Sequence, residues 1–321
     1  MIRLGLIGCG EHSESGHAIP LARYKAANPG QIELAATCDL RLERARGFCG
    51  KYGFTAAYSD LDEMLAREKL DGCITVVPLQ RISELGVKLL RAEIPCLVEK
   101  PLGVSITEAS ALRDAAAATR TLNMVSVNRR FMPFLQRAIR WARDEGPLRY
   151  VRCTLARHAR SESDFLWATA VHAVDALRFI AGQVATFEVR SLAGREGETP
   201  WYAIDLRFQN GSLGRIDVLP TAGMAEETYD IFGDGFRASV TCPFGAQLGW
   251  RCYKDDQLIS EEIAAEVPED ILNGCYDEAA EFIRALRRKD RANPSIEEVF
   301  PSVELCWKVA EDIAAVSRLS A

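Results

Sequence analysis

The chain has 321 residues, 48% of them apolar and 26% charged, the balance of a globular protein with room for two domains of ordinary size. A net charge of −6 with no offsetting basic block argues against a nucleic-acid or anionic-membrane surface. No apolar run approaches the ~18 residues of a membrane span, and the strand that opens the chain leaves no room for a signal peptide. A cytoplasmic protein is therefore expected.

The first 128 residues alternate short apolar runs with amphipathic stretches. The runs are Ile2–Ile7, Ile32–Cys38, Gly72–Val77, Cys96–Val98 and Met124–Val127. Leu61–Arg67, Ser83–Ala92 and Thr107–Ala117 carry helical periodicity, and Asp60 with Glu63 forms a capping box ahead of the first of these. Strands separated by helix-length crossovers predict a doubly wound parallel sheet. After Pro133 the pattern changes. A helix at Phe134–Arg143, a strand at Leu148–Arg157 and an apolar helix at Phe165–Ala181 precede a series of strands. These are Thr186–Leu192, Tyr202–Phe208, Ser212–Leu219, Thr228–Phe232, Ala238–Thr241 and Leu248–Tyr253. Asn210-Gly211 marks a hairpin and Asp255-Asp256 a weaker turn. Helices at Tyr276–Arg288 and Ser295–Ser317 close an α+β region with a mainly antiparallel open sheet. Arg287–Lys289, the densest basic run, suits a helix end better than a partner surface.

Ten cysteines form no Cys-x-x-Cys pair, and Cys9, Cys38, Cys73 and Cys96 fall in or beside buried strands, so reduced thiols are expected. Four histidines without ligand spacing predict no metal site.

Gly8-Cys9-Gly10 follows the first strand, where glycines permit a tight turn and let backbone N–H groups approach a pyrophosphate. Ser13 occupies the place of the usual third glycine. The loop Glu11–Gly16 reads as long, with Gly16 or Ser15 left to make the close approach and a helix starting at His17-Ala18-Ile19-Pro20. Asp39 ends the second strand, where a carboxylate accepts from ribose hydroxyls and repels a 2′-phosphate. It lies further from Gly10 than the ~20 residues usual for that acid. NAD is favoured, with NADP open because Arg41 and Arg44 lie close by. A turn or N-cap role for Asp39 is the bland alternative.

With these residues in place, the chain resembles the glucose-fructose oxidoreductase, inositol dehydrogenase and MocA (Gfo/Idh/MocA) family of NAD(P)-dependent enzymes. The resemblance rests on Gly8-Cys-Gly10, Asp39, Asp71–Pro78, Val98-Glu-Lys-Pro101, Asn128–Phe131 and Val171-His-Ala-Val-Asp175 through Gly182. It implies a Rossmann domain at 1–128 and an α+β substrate-binding and oligomerisation domain at 129–321. It also implies a cofactor held by Gly8, Gly10, Glu11, His12, Asp39, Val77, Pro78, Glu99, Lys100 and Asn128. Lys100 is placed near the nicotinamide and the reacting oxygen, and His172 serves as proton acceptor or donor. Asp175 orients the imidazole or contacts substrate; Trp167 and Arg129 or Arg130 line the substrate pocket. The pattern breaks at Ala168, where lysine–aspartate–histidine members carry the aspartate, and Asp164, Glu162 and Asp175 are candidates for its replacement. Ile82 stands where a histidine often follows the fourth strand's proline.

The expected activity is hydride transfer between nicotinamide and a secondary alcohol or ketone of a sugar, inositol or related polyol. The alternative is a non-catalytic dinucleotide-binding regulator, with a transiently oxidising NAD-dependent lyase or hydrolase third. An apolar outer face of the antiparallel sheet is expected to support a homodimer or homotetramer.

Overall fold

The apolar runs of the N-terminal region become six parallel strands in the computed structural model, which describes residues 1–194 and 199–319. Two compact units divide the chain. Met1–Asn128 with Gly274–Val303 make the first, and Arg129–Asn273 with Glu304–Ala321 the second.

In the first unit the strands are β1 (Ile2–Ile7), β2 (Ile32–Cys38), β3 (Ala56–Tyr58), β4 (Gly72–Thr75), β5 (Cys96–Glu99) and β6 (Asn123–Ser126). Their order is β3-β2-β1-β4-β5-β6, so the winding reverses between β1 and β4. In such sheets ligands bind outside the carboxyl ends of the strands at that reversal. Leu4, Leu6, Leu34, Ile74, Leu97 and Val98 are all fully buried, which is why these strands read as continuous apolar runs. Asp60 caps the helix Leu61–Arg67 by accepting from the Glu63 N–H at 2.8 Å, and Ser105 caps Ile106–Thr119 through the Glu108 N–H at 3.2 Å. The crossover helix expected to start at Ser83 begins at Leu79, where Pro78 stands at the cap and supplies no side-chain signal. The helix Cys275–Arg288 belongs to this unit, and Ser126 Oγ donates to its buried Glu278 at 2.8 Å.

The loop expected at Glu11–Gly16 is absent. Helix begins at Glu11, directly after Gly10, and runs through an α turn (Glu11–Ser13), a π segment (Glu14–Ala18) and an α-helix (Ile19–Ala27). A π segment absorbs extra chain length inside a helix, so the added residues bulge the helix and leave its start at the glycine turn.

The second unit holds β7 (Leu148–Ala156), β8 (Val184–Leu192), β9 (Trp201–Phe208), β10 (Leu213–Leu219), β11 (Glu226–Gly233), β12 (Phe236–Thr241), β13 (Gly249–Lys254) and β14 (Gln257–Ile263). They form one sheet in the order β14-β13-β12-β11-β7-β10-β9-β8, antiparallel except where β7 pairs with β10. Asn210-Gly211 makes the β9–β10 hairpin, with Gly211 at φ +88°. Asp255 and Asp256, both at positive φ, turn β13 into β14. That last strand was not expected, because Gln257–Ile263 is exposed throughout and carries no alternation. The apolar helix expected over Phe165–Ala181 is two, Phe165–Ala168 and Val171–Ala181.

The outer face of this sheet is charged, contrary to the apolar face expected from the alternation. Ile204, Leu206, Ile216 and Val151 are buried, so the intervening residues share the opposite face. There Arg190 and Arg215 bind Asp205 at 2.5 and 3.2 Å, Arg215 and Arg152 bind Asp217 at 2.8 Å each, and Arg237 binds Asp230 at 2.8 Å. Ion pairs of this kind on a sheet surface contribute little stability singly; their effect is to make the face hydrophilic.

Candidate active site

A cavity of about 670 Å³ opens at the carboxyl ends of β1, β2, β4 and β5 in the first unit. Gly8, Gly10, Glu11, His12, Asp39, Val77, Pro78, Glu99 and Lys100 all line it. Asn128 is not among its lining residues; its Nδ2 donates to Cys275 Sγ at 3.6 Å. A larger hollow, about 860 Å³, lies by Asp71, Pro95 and Asn123, beside the amino ends of β4, β5 and β6. None of the expected site residues lines it, and it lies at the wrong end of the strands for this sheet class.

The two glycines of the turn do different work. At Gly8 φ is +90° and a Cβ would sit 1.9 Å from the Val76 carbonyl oxygen, so no side chain fits. At Gly10 φ is an ordinary −97° and a Cβ would meet nothing within 4 Å. The space beside Gly10 is therefore open to a ligand, at the start of the helix where a pyrophosphate is favoured. Gly16 and Ser15 are not among the residues lining this cavity, and Ser15 Oγ donates to the Glu11 carbonyl. We expect Gly10→Ala to keep the wild-type melting temperature while weakening NADH binding at least ~10-fold, about 1.4 kcal/mol, in a fluorescence titration.

Asp39 ties the turn together. Its Oδ2 accepts from the Cys9 N–H at 2.8 Å and its Oδ1 from the Arg41 N–H at 2.9 Å. A carboxylate has about four acceptor sites, so two remain for ribose hydroxyls. Arg41 and Arg44 line the same end of the cavity. The Cys9 thiol, pushed up to about 12 by burial and then by Asp39, is no nucleophile at neutral pH.

At the end of β5, Glu99 is buried. His17 Nε2 lies 2.7 Å and His12 Nε2 3.1 Å from its Oε1, and its Oε2 accepts from the Lys100 N–H at 3.2 Å. Burial alone would raise the Glu99 carboxyl, but the two imidazoles outweigh it and hold the group well below the usual carboxylate range. Lys100 follows, joined to Pro101 by a cis peptide bond.

The remaining expected site residues stand in the second unit. His172 is buried in the first turn of Val171–Ala181. Asp175, 1% exposed, is gripped by Arg130 through Nε to Oδ2 at 2.7 Å and Nη2 to Oδ1 at 2.8 Å. Arg129 makes the same fork with Glu227, at 2.9 and 3.0 Å. Arg157 adds a third contact to Glu227 at 2.7 Å, and the Tyr229 hydroxyl donates to it at 2.5 Å. Trp167 stacks on Trp307 with ring centroids 4.7 Å apart. Ala168 is buried, and of the candidate replacement acids Glu162 is held by Arg160 at 2.7 Å.

Residues 2–128 match the family model described as an oxidoreductase family with an NAD-binding Rossmann fold. Over those residues the chain is similar throughout to the NAD-binding domain of the Gfo/Idh/MocA oxidoreductases. Among curated relatives, the chain is 26% identical to 4-carboxy-2-hydroxymuconate-6-semialdehyde dehydrogenase of Sphingobium sp., over 97% of this chain and 98% of that one. It is 23% identical to myo-inositol 2-dehydrogenase of Thermotoga maritima, over 67% and 68%. Among solved structures, an Agrobacterium radiobacter oxidoreductase in complex with NAD+, L-tartaric acid and magnesium shares the fold with a TM-score of 0.80 at 20% identity, over 98% of this chain and 96% of that one.

Two residues of this Rossmann domain have roles that the sequence does not announce. Ser13, in place of the third glycine, is buried and donates its hydroxyl to the Gly8 carbonyl at 2.7 Å, bracing the turn from below. His17 reads in the sequence only as a helix start. The one signal is the five-residue spacing of His12 and His17, which has meaning only once a π segment carries His17.

Proposed function

We propose that this oxidoreductase moves a hydride between the nicotinamide of NAD and a secondary alcohol or ketone of a sugar, inositol or related polyol. The observation that carries the reading is the gathering of Gly8, Gly10, Asp39 and Lys100 around one cavity at the carboxyl ends of the parallel strands. The open cradle beside Gly10 fits a pyrophosphate, and Asp39 retains acceptor capacity for the adenosine ribose. NAD, when bound, supplies the hydride acceptor or donor. Lys100 steadies the substrate oxygen, for which a cationic donor at a strand end is suited, and His172 takes or returns the hydroxyl proton. The inositol dehydrogenase relative supports the polyol class.

One observation favours a second substrate class. Arg129 and Arg157 share the single carboxylate of Glu227, with the Arg157 guanidinium 4.5 Å from the Phe244 ring centroid. This positively charged cluster suits a substrate bearing a carboxylate, and a relative over nearly the full length is named for a carboxylated semialdehyde. A panel of polyols and hydroxy- or semialdehyde-carboxylates, read by NADH absorbance, separates the two.

The cofactor preference is tested first, by fluorescence titration with NADH and NADPH. At least ~10-fold tighter NADH binding, about 1.4 kcal/mol, supports Asp39 as the ribose ligand. NADPH preference overturns it and points to Arg41 or Arg44, and no binding of either overturns the proposed function. The reading includes a cytoplasmic setting, supported by ten free cysteines, and a homodimer or homotetramer, which light scattering reads directly.

A further inference from the structure

His12 and His17 are five residues apart. On an α-helix of 3.6 residues per turn that spacing separates side chains by about 140°, too far to reach one atom. The π segment Glu14–Ala18 starts after His12 and contains His17, and both Nε2 atoms come within 3.1 Å of the same Glu99 oxygen. π segments cost helix regularity and occur frequently at functional sites. This one delivers two imidazoles to a buried carboxylate whose other oxygen holds the backbone of the next residue, Lys100. The two histidines differ in setting: the His17 side chain is 2% exposed and the His12 side chain 64%.

We propose that His12, His17 and Glu99 are positioning residues for Lys100, the two imidazoles holding the Glu99 carboxylate so that it fixes where the lysine leaves β5. The proposal deepens the assignment of Lys100 to the substrate oxygen and rests on that reading for its catalytic meaning. The physical sequence is short. A buried carboxyl with no partner takes up a proton. Hydrogen bonds from imidazole prevent this here. An ionised Glu99 then holds the Lys100 N–H and sets the local potential. The other charged groups around the cavity are Glu11, Asp39, Arg41, Arg44 and Arg81, and none of these is altered by the variants below.

The test needs no substrate. Trace acylation of the full chain with acetic anhydride, quantified at Lys100 by mass spectrometry from pH 6 to pH 11, reports that lysine's own titration. Glu99→Gln removes the carboxylate charge and shifts the profile to lower pH, with Lys100 acylated at least ~3-fold faster at pH 8. The double variant His12→Ala/His17→Ala, which leaves Glu99 without those donors, reproduces that shift, because burial returns a proton to Glu99. If buried substitutions prevent folding, exposed His12→Ala remains, with a shift in the same direction of at least ~2-fold. Folded variants whose Lys100 profile matches wild type overturn the proposal and reduce the cluster to packing. Protection of Lys100 by saturating NADH tests the underlying reading separately. A lysine that NADH leaves unprotected, but whose profile still moves in Glu99→Gln, removes Lys100 from the nicotinamide and leaves the positioning cluster standing.

Discussion

Lys100→Ala lowers kcat/KM for hydride transfer by at least ~10-fold and, if the lysine both orients and polarises the reacting oxygen, by about 100-fold. The expectation follows from where the side chain starts. Lys100 leaves the buried end of β5, on the rim of the cavity that Gly8, Gly10 and Asp39 line, and its backbone is tied to Glu99. The loss should fall mainly on kcat, because the proposed NADH contacts, at the glycine turn and Asp39, do not depend on the amine. Lys100→Arg should not restore activity, since a planar, permanently charged fork does not reproduce a compact ammonium. Steady-state kinetics with the first active substrate checks this, alongside an NADH titration of the variant. A variant retaining more than a tenth of wild-type turnover removes Lys100 from the chemistry. A variant that also loses NADH binding places the lysine in cofactor binding instead.

Much of this was legible in the chain, for reasons that differ residue by residue. Leu4, Leu6, Ile74 and Leu97 declared a sheet buried on both faces, and Gly8 declared a turn that admits no side chain, because both are local constraints on backbone and burial. Glu99 and Lys100 were legible through a motif at a strand end. What the sequence hid is what depends on helix phase and on pairing across elements. His17 meets Glu99 only after the π segment turns it, and a hydrophobicity pattern has no way to register an inserted π turn. Asp175 and Arg129 looked available for substrate, yet each is held in a two-bond fork by a residue distant in sequence. The alternation through Ile204–Phe208 correctly separated two faces. It could not say that the outer one is lined by Asp205, Arg215, Asp217 and Arg152 in register, since that needs the strand order. Exposed β14 carried no pattern at all.

Glu227→Ala is expected to destabilise the second unit by about 3–5 kcal/mol, the cost of breaking a fully buried ion pair and stranding its partners. Glu227 is 0% exposed and binds Arg129, Arg157 and Tyr229 together. Burial pushes its carboxyl up, but Arg129, Arg157 and the Tyr229 hydroxyl outweigh that and bring it down to about 2 from an ordinary 4.5. A folded value below the unfolded one stabilises the fold above pH 4.5, and that stability is lost as pH falls from 4.5 towards 2. The shift corresponds to about 3 kcal/mol, so urea unfolding should show wild type losing that much across the window while Glu227→Gln starts lower and loses less. A wild-type slope equal to the variant's would remove Glu227 as the titrating group. The quadruple variant Arg129→Met/Glu227→Leu/Arg157→Met/Tyr229→Phe, which also removes the hydroxyl that donates to Glu227, then separates stability from activity. Apolar replacement of a complete buried ionic cluster is commonly neutral or stabilising, so the fold gains nothing by keeping two arginines on one glutamate. If the quadruple variant unfolds like wild type yet loses turnover, the cluster is retained for what it presents to substrate, and the carboxylate-bearing class becomes the one to pursue.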